Sequence, residues 1–168
     1  MGTDKHDLQA ELVAILPRLR RFCAGLSRSG DAGDDLCQAT IERALSQADR
    51  FEPGTRLDSW MYRIARNLRI DTVRRARTRG VELDVEHAFD LAGDDGVAVV
   101  EGRSDLSRAQ AAMAALPEEQ RALVALVILD GQSYKEAAAI LDIPMGTVMS
   151  RLARARRAIE LAVRGVAA

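Results

Sequence analysis

Residues 133–157 constrain the fold more than any other stretch, because they have the pattern of two short helices joined by a tight turn. Ser133 and Glu136 have the S-x-x-E spacing of a capping box, which predicts a helix start immediately after the serine. An Ala-rich helix then runs to Leu141. Pro144 follows, and proline disfavours a helical residue before it while fitting the first turn of a new helix. The stretch therefore predicts a helix-turn-helix.

The second helix of this pair has two different faces. Its apolar positions recur at steps of four, three and four and form one buried stripe: Val148, Leu152, Ala155 and Ile159. The opposite face carries small residues near the helix start and arginines beyond them. Small side chains allow close approach to base edges, and arginines reach guanine or phosphate, so this face suits a DNA major groove. The alternative is an amphipathic helical hairpin with a solvated arginine face.

The formal net charge of −1 is the sum of two basic segments and one acidic segment that nearly cancel. Residues 63–79 contain seven arginines and one acid, and residues 144–164 contain five arginines and one acid. Between them, residues 81–105 contain eight acids and one arginine. Because local charge decides affinity for phosphates, the two basic segments are candidates for nucleic-acid binding.

Composition excludes several classes of protein. The chain of 168 residues is 48% hydrophobic and 29% charged, and it contains no apolar stretch long enough to span a membrane. The polar start of the sequence does not resemble a secretory signal, so we expect a cytoplasmic protein. Cys23 and Cys37 lie within apolar helical patterns and are expected to be buried thiols. His6 and His87 have no partner at ligand spacing, so no metal site and no cofactor is predicted.

Helical periodicity covers almost all of the remaining chain, and strand signals are absent. The fold class predicted is all-α, with two small helical domains at 7–79 and 105–164 joined by an acidic flexible linker at 80–104. The first helix, residues 7–28, contains Pro17, which predicts a kink or two abutting helices. Further helices are expected from a cap at Asp31 or Asp34 to Ala48, from Asp58 or Ser59 to Arg77, from Leu106 to Leu116 and from Gln120 to Leu129. The pattern does not decide whether the two domains touch.

Three motifs, in order, resemble the group IV (extracytoplasmic function) sigma factors of bacterial RNA polymerase. They read DDLCQATIERAL at 34–45, FEPGTRLDSWMYRIARNLRIDTVRR at 51–75, and LPEEQRALVALVILDGQSYKEAAAILDIPMGTVMSRLARARRAI at 116–159. The resemblance covers about residues 8–79 and 105–163. It implies that the first domain is sigma domain 2 and the second is sigma domain 4. Parts of the sequence also resemble the general stress factors of alphaproteobacteria.

The resemblance implies two interfaces for the first domain. Positions matching the contact with the β′ clamp coiled coil of core polymerase are Asp34, Asp35, Leu36, Gln38 and Thr40. Ala39 stands where the family usually has an acid. Positions matching the surface that binds the promoter −10 element are Pro53, Gly54, Thr55, Arg63, Asn67, Arg74 and Arg75. The loop before the long helix would capture a flipped base, Asn67 would read a base edge, and the arginines would hold phosphates.

For the second domain the resemblance implies binding of the −35 element. The matching positions are Thr147, Met149, Ser150, Arg151, Ala153, Arg154 and Arg157. Ser150 and Arg154 offer polar readout, whereas Met149 and Ala153 would contact thymine methyl groups or read DNA shape. Asp142 stands where a glycine is common in such turns, and aspartate tolerates a left-handed backbone better than most residues.

The function implied is that of a transcription initiation factor and not an enzyme. It would act as a monomer when free, bind core polymerase (β′ clamp coiled coil and β flap) and promoter DNA, and be held by an anti-sigma factor. Two alternatives remain. A helix-turn-helix repressor or activator would leave the basic helix at 63–79 unexplained. A decoy that titrates an anti-sigma protein would be expected to lack the arginines at 63–79 and 151–157.

Overall fold

The computed structural model describes residues 3–80 and 99–165, with side chains described for 8–80 and 104–165. Every element in these ranges is helical, so the all-α prediction is confirmed. The first domain contains α1 (Thr3–Leu26), α2 (Gly30–Ser46), a short 3-10 turn (Ala48–Arg50) and α3 (Leu57–Thr78). The second contains α4 (Val99–Ala115), α5 (Glu118–Leu123), a π-helical segment (Val124–Leu129), α6 (Tyr134–Leu141) and α7 (Met145–Val163).

The core of the first domain lies between α1, α2 and α3. Phe22 of α1 is fully buried against Tyr62 of α3, with ring centroids 4.6 Å apart. Cys23 and Cys37 are both buried thiols in this core, as predicted. α2 approaches α1 closely at Gly33, where a Cβ atom would lie 2.8 Å from Cα of Ala24. Only a residue without a side chain permits this contact.

Two predictions for the first domain are corrected. α1 is one helix through Leu26 and carries Pro17 on its exposed side, so the alternative of two abutting helices is wrong. α2 is capped by Ser29, whose Oγ accepts a hydrogen bond from the Ala32 amide at 3.3 Å. The predicted caps Asp31 and Asp34 already lie inside the helix, because the serine satisfies the first-turn amide earlier in the chain.

The helix-turn-helix has the predicted form. The Ser133 hydroxyl accepts from the Glu136 amide at 3.2 Å, and the Glu136 carboxylate accepts from the Ser133 amide at 2.7 Å. Asp142 ends α6 in the left-handed region, with φ 54° and ψ 52°. On α7, Val148 and Leu152 belong to the predicted stripe and are buried. The predicted capping box and left-handed turn are confirmed.

Two elements of the second domain differ from the sequence pattern. α4 begins at Val99, so its first turns occupy the end of the predicted linker 80–104, whose residues 81–98 lie outside the described ranges. A helix accommodates the single Gly102 there at a modest cost. The helix predicted from Gln120 to Leu129 is instead α5 followed by the π-helical segment. A π turn adds a residue per hydrogen-bonded ring, and the Asp130 amide accordingly donates to the carbonyl of Ala125 at 3.0 Å.

The two domains pack against each other. α1 contacts α5 and the π-helical segment, and α3 contacts α6. Arg121 of α5 is 1% exposed and donates from Nε to the carbonyl oxygen of Leu26 at 3.0 Å. Arg69 of α3 lies 3.6 Å from the carboxylate of Glu118. The hydrophobic cores of the two domains are therefore continuous across the contact.

Candidate nucleic-acid interface

The polar face of α3 holds the four residues predicted to meet the −10 element. Arg63, Asn67, Arg74 and Arg75 are all exposed. Positions 63, 67 and 74 share one side of the helix, because steps of four and seven return to the same face. An exposed amide between guanidinium groups can read a base edge while the arginines contact phosphates. Arg63 is also engaged within the protein, since its Nη2 donates to the carbonyl oxygen of Ala139 in α6 at 3.0 Å.

The loop before α3 presents Pro53, Gly54 and Thr55 to solvent. Thr55 closes a turn through its amide and its hydroxyl, which donate to the carbonyl oxygen of Glu52 at 3.1 and 2.7 Å. Behind the loop, the rings of Phe51 and Trp60 lie 5.2 Å apart between their centroids. The aromatic pair anchors the base of the loop, and the tip is free to contact a ligand.

The outer face of α7 presents the residues predicted to meet the −35 element. Met149 is 54% exposed, and Ser150, Ala153, Arg154 and Arg157 are also exposed. Thr147 and Arg151 are half-buried, and the Arg151 guanidinium lies 2.6 Å from the carboxylate of Glu119. Arg154 donates from Nε to the carbonyl oxygen of Ser150 at 3.3 Å, a contact within one helical turn.

The five positions predicted to meet polymerase divide into two groups on α2. Asp34, Asp35 and Gln38 are exposed. Leu36 and Thr40 are buried, and the Thr40 hydroxyl donates to the carbonyl oxygen of Leu36 at 2.6 Å. Their assignment to the polymerase contact stays a prediction from the resemblance, and in this structure the exposed part of the set is Asp34, Asp35 and Gln38. Leu36 and Thr40 belong to the core side of the helix.

A set of polar side chains between the domains was not predicted from the sequence. We call it the interdomain cluster, and its members are Arg18, Arg56, Asp58, Asp130, Gln132 and Glu136. The first three belong to the first domain and the last three to the second. Arg18 donates from Nε and Nη2 to the two carboxylate oxygens of Asp130 at 3.0 and 2.9 Å. Its Nη2 also donates to Asp58 at 3.1 Å.

Gln132 and Arg56 complete the interdomain cluster. The Gln132 amide group donates to Asp58 at 3.2 Å and to Asp130 at 2.8 Å, so one side chain joins carboxylates from both domains. Arg56 donates to the Gln132 amide oxygen at 3.0 Å and also bonds Asp58 and Glu136. Glu136 is the capping-box glutamate of α6. The start of the helix-turn-helix is thus tied directly to the loop before α3.

The interdomain cluster keeps the Asp58 carboxylate ionised. Burial alone would raise the pKa of Asp58, but hydrogen bonds from Arg56, Gln132 and the Ser59 amide lower it to about 2. The hydrogen bond with Asp130 raises the pKa of Arg18, although burial opposes this. A buried carboxylate is tolerated when it is paired and fully hydrogen-bonded. The two domains therefore meet through a charged contact whose partners satisfy one another.

This contact has no signature in the local sequence. The pairs within it are separated by as many as 112 residues, so no periodicity links them. Asp130 precedes Gly131, and an Asp-Gly pair is typical of a turn. Its side chain is in fact fully buried. The π-helical segment ends immediately before Asp130, and the Asp130 amide donates to the carbonyl oxygen of Ala125 at 3.0 Å.

Among the described residues, no group of three or more His, Cys, Asp or Glu side chains is arranged to hold a metal ion. None of the described helices combines the length and apolarity needed to cross a membrane.

Comparison with known families matches both domains. The family described as Sigma-70 region 2 matches residues 12–79, and Sigma-70, region 4 matches residues 106–159. The ECF RNA polymerase sigma factor EcfG of Rhodopseudomonas palustris is 37% identical, over 89% of this chain and 81% of that protein. The ECF RNA polymerase sigma factor SigC of Mycobacterium tuberculosis is 37% identical, over 90% of this chain and 80% of that protein.

Solved structures show the same fold. The sigma factor RpoE of Bartonella quintana, solved in complex with the anti-sigma factor NepR, has a TM-score of 0.80 and 32% identity. The match covers 94% of this chain and 97% of that one. CnrH, solved with the cytosolic domain of CnrY, has a TM-score of 0.68 at 21% identity, and this likeness concerns the fold alone.

Proposed function

Since this chain belongs to the ECF sigma factors of bacterial RNA polymerase, we propose that its first domain reads a promoter −10 element and its second a −35 element. The chain is a transcription initiation factor and not an enzyme. Membership in this family decides against an ordinary repressor or activator. The observation that carries the assignment of residues is the separation of faces on α7, where a buried stripe lies opposite an exposed set of small and cationic side chains.

The second domain would dock α7 in the major groove of the −35 element. Ser150 and Arg154 supply polar groups for base edges, and Met149 and Ala153 lie beside them as apolar contacts. Thr147, Arg151 and Arg157 would contact phosphates. The ion pair with Glu119 would hold the Arg151 guanidinium group at the edge of the DNA major groove.

The first domain would hold the −10 element against α3. The loop tip at 53–55 would receive a flipped base, and Asn67 would read a base edge. Arg63, Arg74 and Arg75 would contact phosphates. Extrusion of a base costs a few kcal/mol, so the pocket must return that energy through stacking and hydrogen bonds.

The exposed side of α2 would contact core polymerase. Asp34, Asp35 and Gln38 present two carboxylates and an amide there. Carboxylates on a helix surface steer association with a basic partner surface and fix its register. A charge reversal at Asp35 should therefore weaken binding to core polymerase. The same reversal at the exposed Glu11 of α1 is a control within the first domain.

An anti-sigma factor would regulate the chain, and the cytoplasm would be its location. The likeness to RpoE, solved with NepR, supports such a partner, and together with the likeness to EcfG it supports the general-stress subgroup. Addition of a NepR-type protein from the source genome should suppress transcription that depends on this chain. Undiminished transcription with excess NepR-type protein would contradict this part of the proposal.

Run-off transcription with purified bacterial core polymerase tests the assignment. A pool of upstream fragments from the source genome should yield specific transcripts only when this protein is present. Asn67→Ala and Arg154→Ala should each reduce specific initiation by roughly 10- to 100-fold, the range expected for one base contact. Arg108→Ala is the control within the second domain, because Arg108 is exposed on α4 and belongs to neither proposed DNA surface.

Two outcomes would redirect the assignment. Unchanged initiation by both Asn67→Ala and Arg154→Ala would mean that other residues read the promoter. Binding of core polymerase without specific initiation on any fragment would contradict the promoter-reading role itself.

A further inference from the structure

We propose that Cys23 of α1 and Cys37 of α2 form an oxidation site, where a hydroperoxide converts the two thiols into a reversible disulfide that ties α2 to α1. These are the two cysteines of the sequence, so any disulfide within one chain must join them. The site lies in the core of the first domain. It is independent of the proposed promoter role.

The backbones of α1 and α2 approach closely beside the two cysteines. The helices are joined by residues 27–29 alone and form an antiparallel hairpin. A Cβ atom at Gly33 of α2 would lie 2.8 Å from Cα of Ala24 and 3.4 Å from the carbonyl carbon of Cys23. Cys37 lies about one turn beyond Gly33 on the same face of α2. Both cysteines therefore border the place where the helices are nearest.

The direction of the side chains brings the two sulfur atoms together. Side chains of an α-helix tilt toward its N-terminus. Cys23 is nearer to the connecting turn and tilts away from it, whereas Cys37 is farther from the turn and tilts toward it. The Cys23 thiol accordingly donates a hydrogen bond to the sulfur of Cys37. Sulfur atoms in this contact need only a small shift to reach bonding distance.

The two thiols differ in exposure and in acidity. Cys37 is 5% exposed, and Cys23 lies behind it with no exposed surface. The hydrogen bond from Cys23 lowers the pKa of Cys37, and the positive charge of Arg20 adds to this, although burial and Asp34 oppose it. The same hydrogen bond raises the pKa of Cys23, and burial raises it further. Because the thiolate is the reactive form, Cys37 is the attacking sulfur.

The reaction consumes one hydroperoxide and takes two electrons from the pair of thiols. The Cys37 thiolate attacks one peroxide oxygen and becomes a sulfenic acid, while the O–O bond breaks and the leaving oxygen takes up the proton that Cys37 had released. The Cys23 sulfur then attacks the Cys37 sulfur, and the S–O bond breaks. The departing hydroxide combines with the Cys23 proton to give water. The products are one disulfide, one water and one alcohol, or two waters from hydrogen peroxide.

The disulfide would brace the helix that carries the proposed polymerase contact. Asp34, Asp35 and Gln38 lie on the exposed side of α2, around Cys37. A disulfide between 23 and 37 closes a short loop and restricts the unfolded chain, so it stabilises the hairpin. Exchange with cellular thiols returns the pair to the reduced form, which is the resting form in a reducing compartment.

Peroxide treatment of the folded full chain provides the first test. The intact mass should fall by two hydrogen atoms, peptide mapping should join position 23 to position 37, and dithiothreitol should reverse both changes. Cys23→Ala should stop at a sulfenic acid on Cys37 that dimedone traps. Cys37→Ala is the matched control and should leave Cys23 unmodified at the same peroxide concentration. Circular dichroism verifies that both variants are folded.

Two results of this experiment would overturn the proposal. One is a folded chain whose thiols survive peroxide or form disulfides only between chains. The other is a sulfinic acid on Cys37 without any disulfide, because it would show that Cys23 is not placed to attack the sulfenic acid.

Equilibration with reduced and oxidised glutathione provides the second test, which does not depend on how fast peroxide reaches the core. A disulfide that stabilises the fold is favoured by the fold to the same extent. At one glutathione ratio, the ratio of disulfide to dithiol should be roughly 10- to 100-fold higher in the folded chain than in urea. The disulfide form should also unfold about 3–10 °C higher on heating. An equal or lower ratio in the folded chain would show that the native geometry opposes the bond and would overturn the proposal.

Discussion

The two proposed DNA surfaces differ in what holds their side chains. On α7, Arg154 and Ser150 bond carbonyl oxygens within one turn of their own helix. On the first domain, Arg63 and Arg56 bond groups more than 70 residues away. The −35 surface is therefore organised by local geometry, and the −10 surface is partly occupied by the other domain. The chain thus exposes its proposed −35 surface and partly covers its proposed −10 surface.

The largest expected effect comes from deleting core side chains on either side of the domain contact. Leu152 of α7 and Leu19 of α1 are 1% and 0% exposed. Leu152→Ala and Leu19→Ala should each lower the free energy of unfolding by about 2–5 kcal/mol. Because the hydrophobic core is continuous across both domains, each variant should shift one shared transition in urea monitored by circular dichroism. Two separate transitions, with only one shifted, would show that the domains unfold independently.

Replacement of arginine by lysine should distinguish base reading from phosphate contact. Arg154→Lys removes the planar fork that can bond a guanine edge, so initiation should fall about tenfold. Arg63→Lys keeps the charge for a phosphate and should lower initiation by about twofold or less. Transcription on one promoter measures both. An equal loss in the two variants would remove the distinction between the surfaces.

The cap of α6 should contribute less than a core side chain. Ser133→Ala removes the acceptor for the Glu136 amide and should cost about 1 kcal/mol in stability. Ser29→Ala removes the corresponding cap of α2, which lies away from the interdomain cluster, and serves as the matched control. If the cap holds Glu136 for its contact with Arg56, Ser133→Ala should also increase the distance between spin labels attached at Ser46→Cys in the first domain and Ala158→Cys in the second. A loss of stability with an unchanged label distance would show that the cap does not support the contact between the domains.

The pH dependence of stability provides a further test of the interdomain cluster. The pKa of Asp58 is lowered from 3.8 to about 2 in the folded protein. A depressed pKa contributes stability that is present above the unfolded value and is lost as pH falls through the folded value. The contribution should therefore decline between about pH 4 and pH 2. Asp58→Asn should make the free energy of unfolding depend less steeply on pH in that range. If denaturation curves recorded at several pH values show the same pH dependence of the free energy of unfolding in Asp58→Asn, other carboxylates cause the acid sensitivity.

Most local features followed from short-range patterns. The capping box, the left-handed Asp142 and the buried stripe of α7 all depend on residues within a few positions of one another, and the sequence predicted each correctly. The boundaries were less exact, because Ser29 and not an aspartate starts α2. The motif match assigns Thr40 to the polymerase contact, and in the structure its side chain is buried in the core. A motif match gives a residue's position on a helix, but only packing shows which side of that helix is covered.

The sequence by itself determined the helices, the helix-turn-helix and the two basic segments, because caps and periodic apolar positions act over one or two turns. Tertiary structure alone decided that the domains meet and which side chains join them. The pairing of Arg18 with Asp130 requires α1 and the end of the π-helical segment to be adjacent in space. No pattern along the chain encodes a contact between residues 112 positions apart, because it depends on how every intervening helix packs.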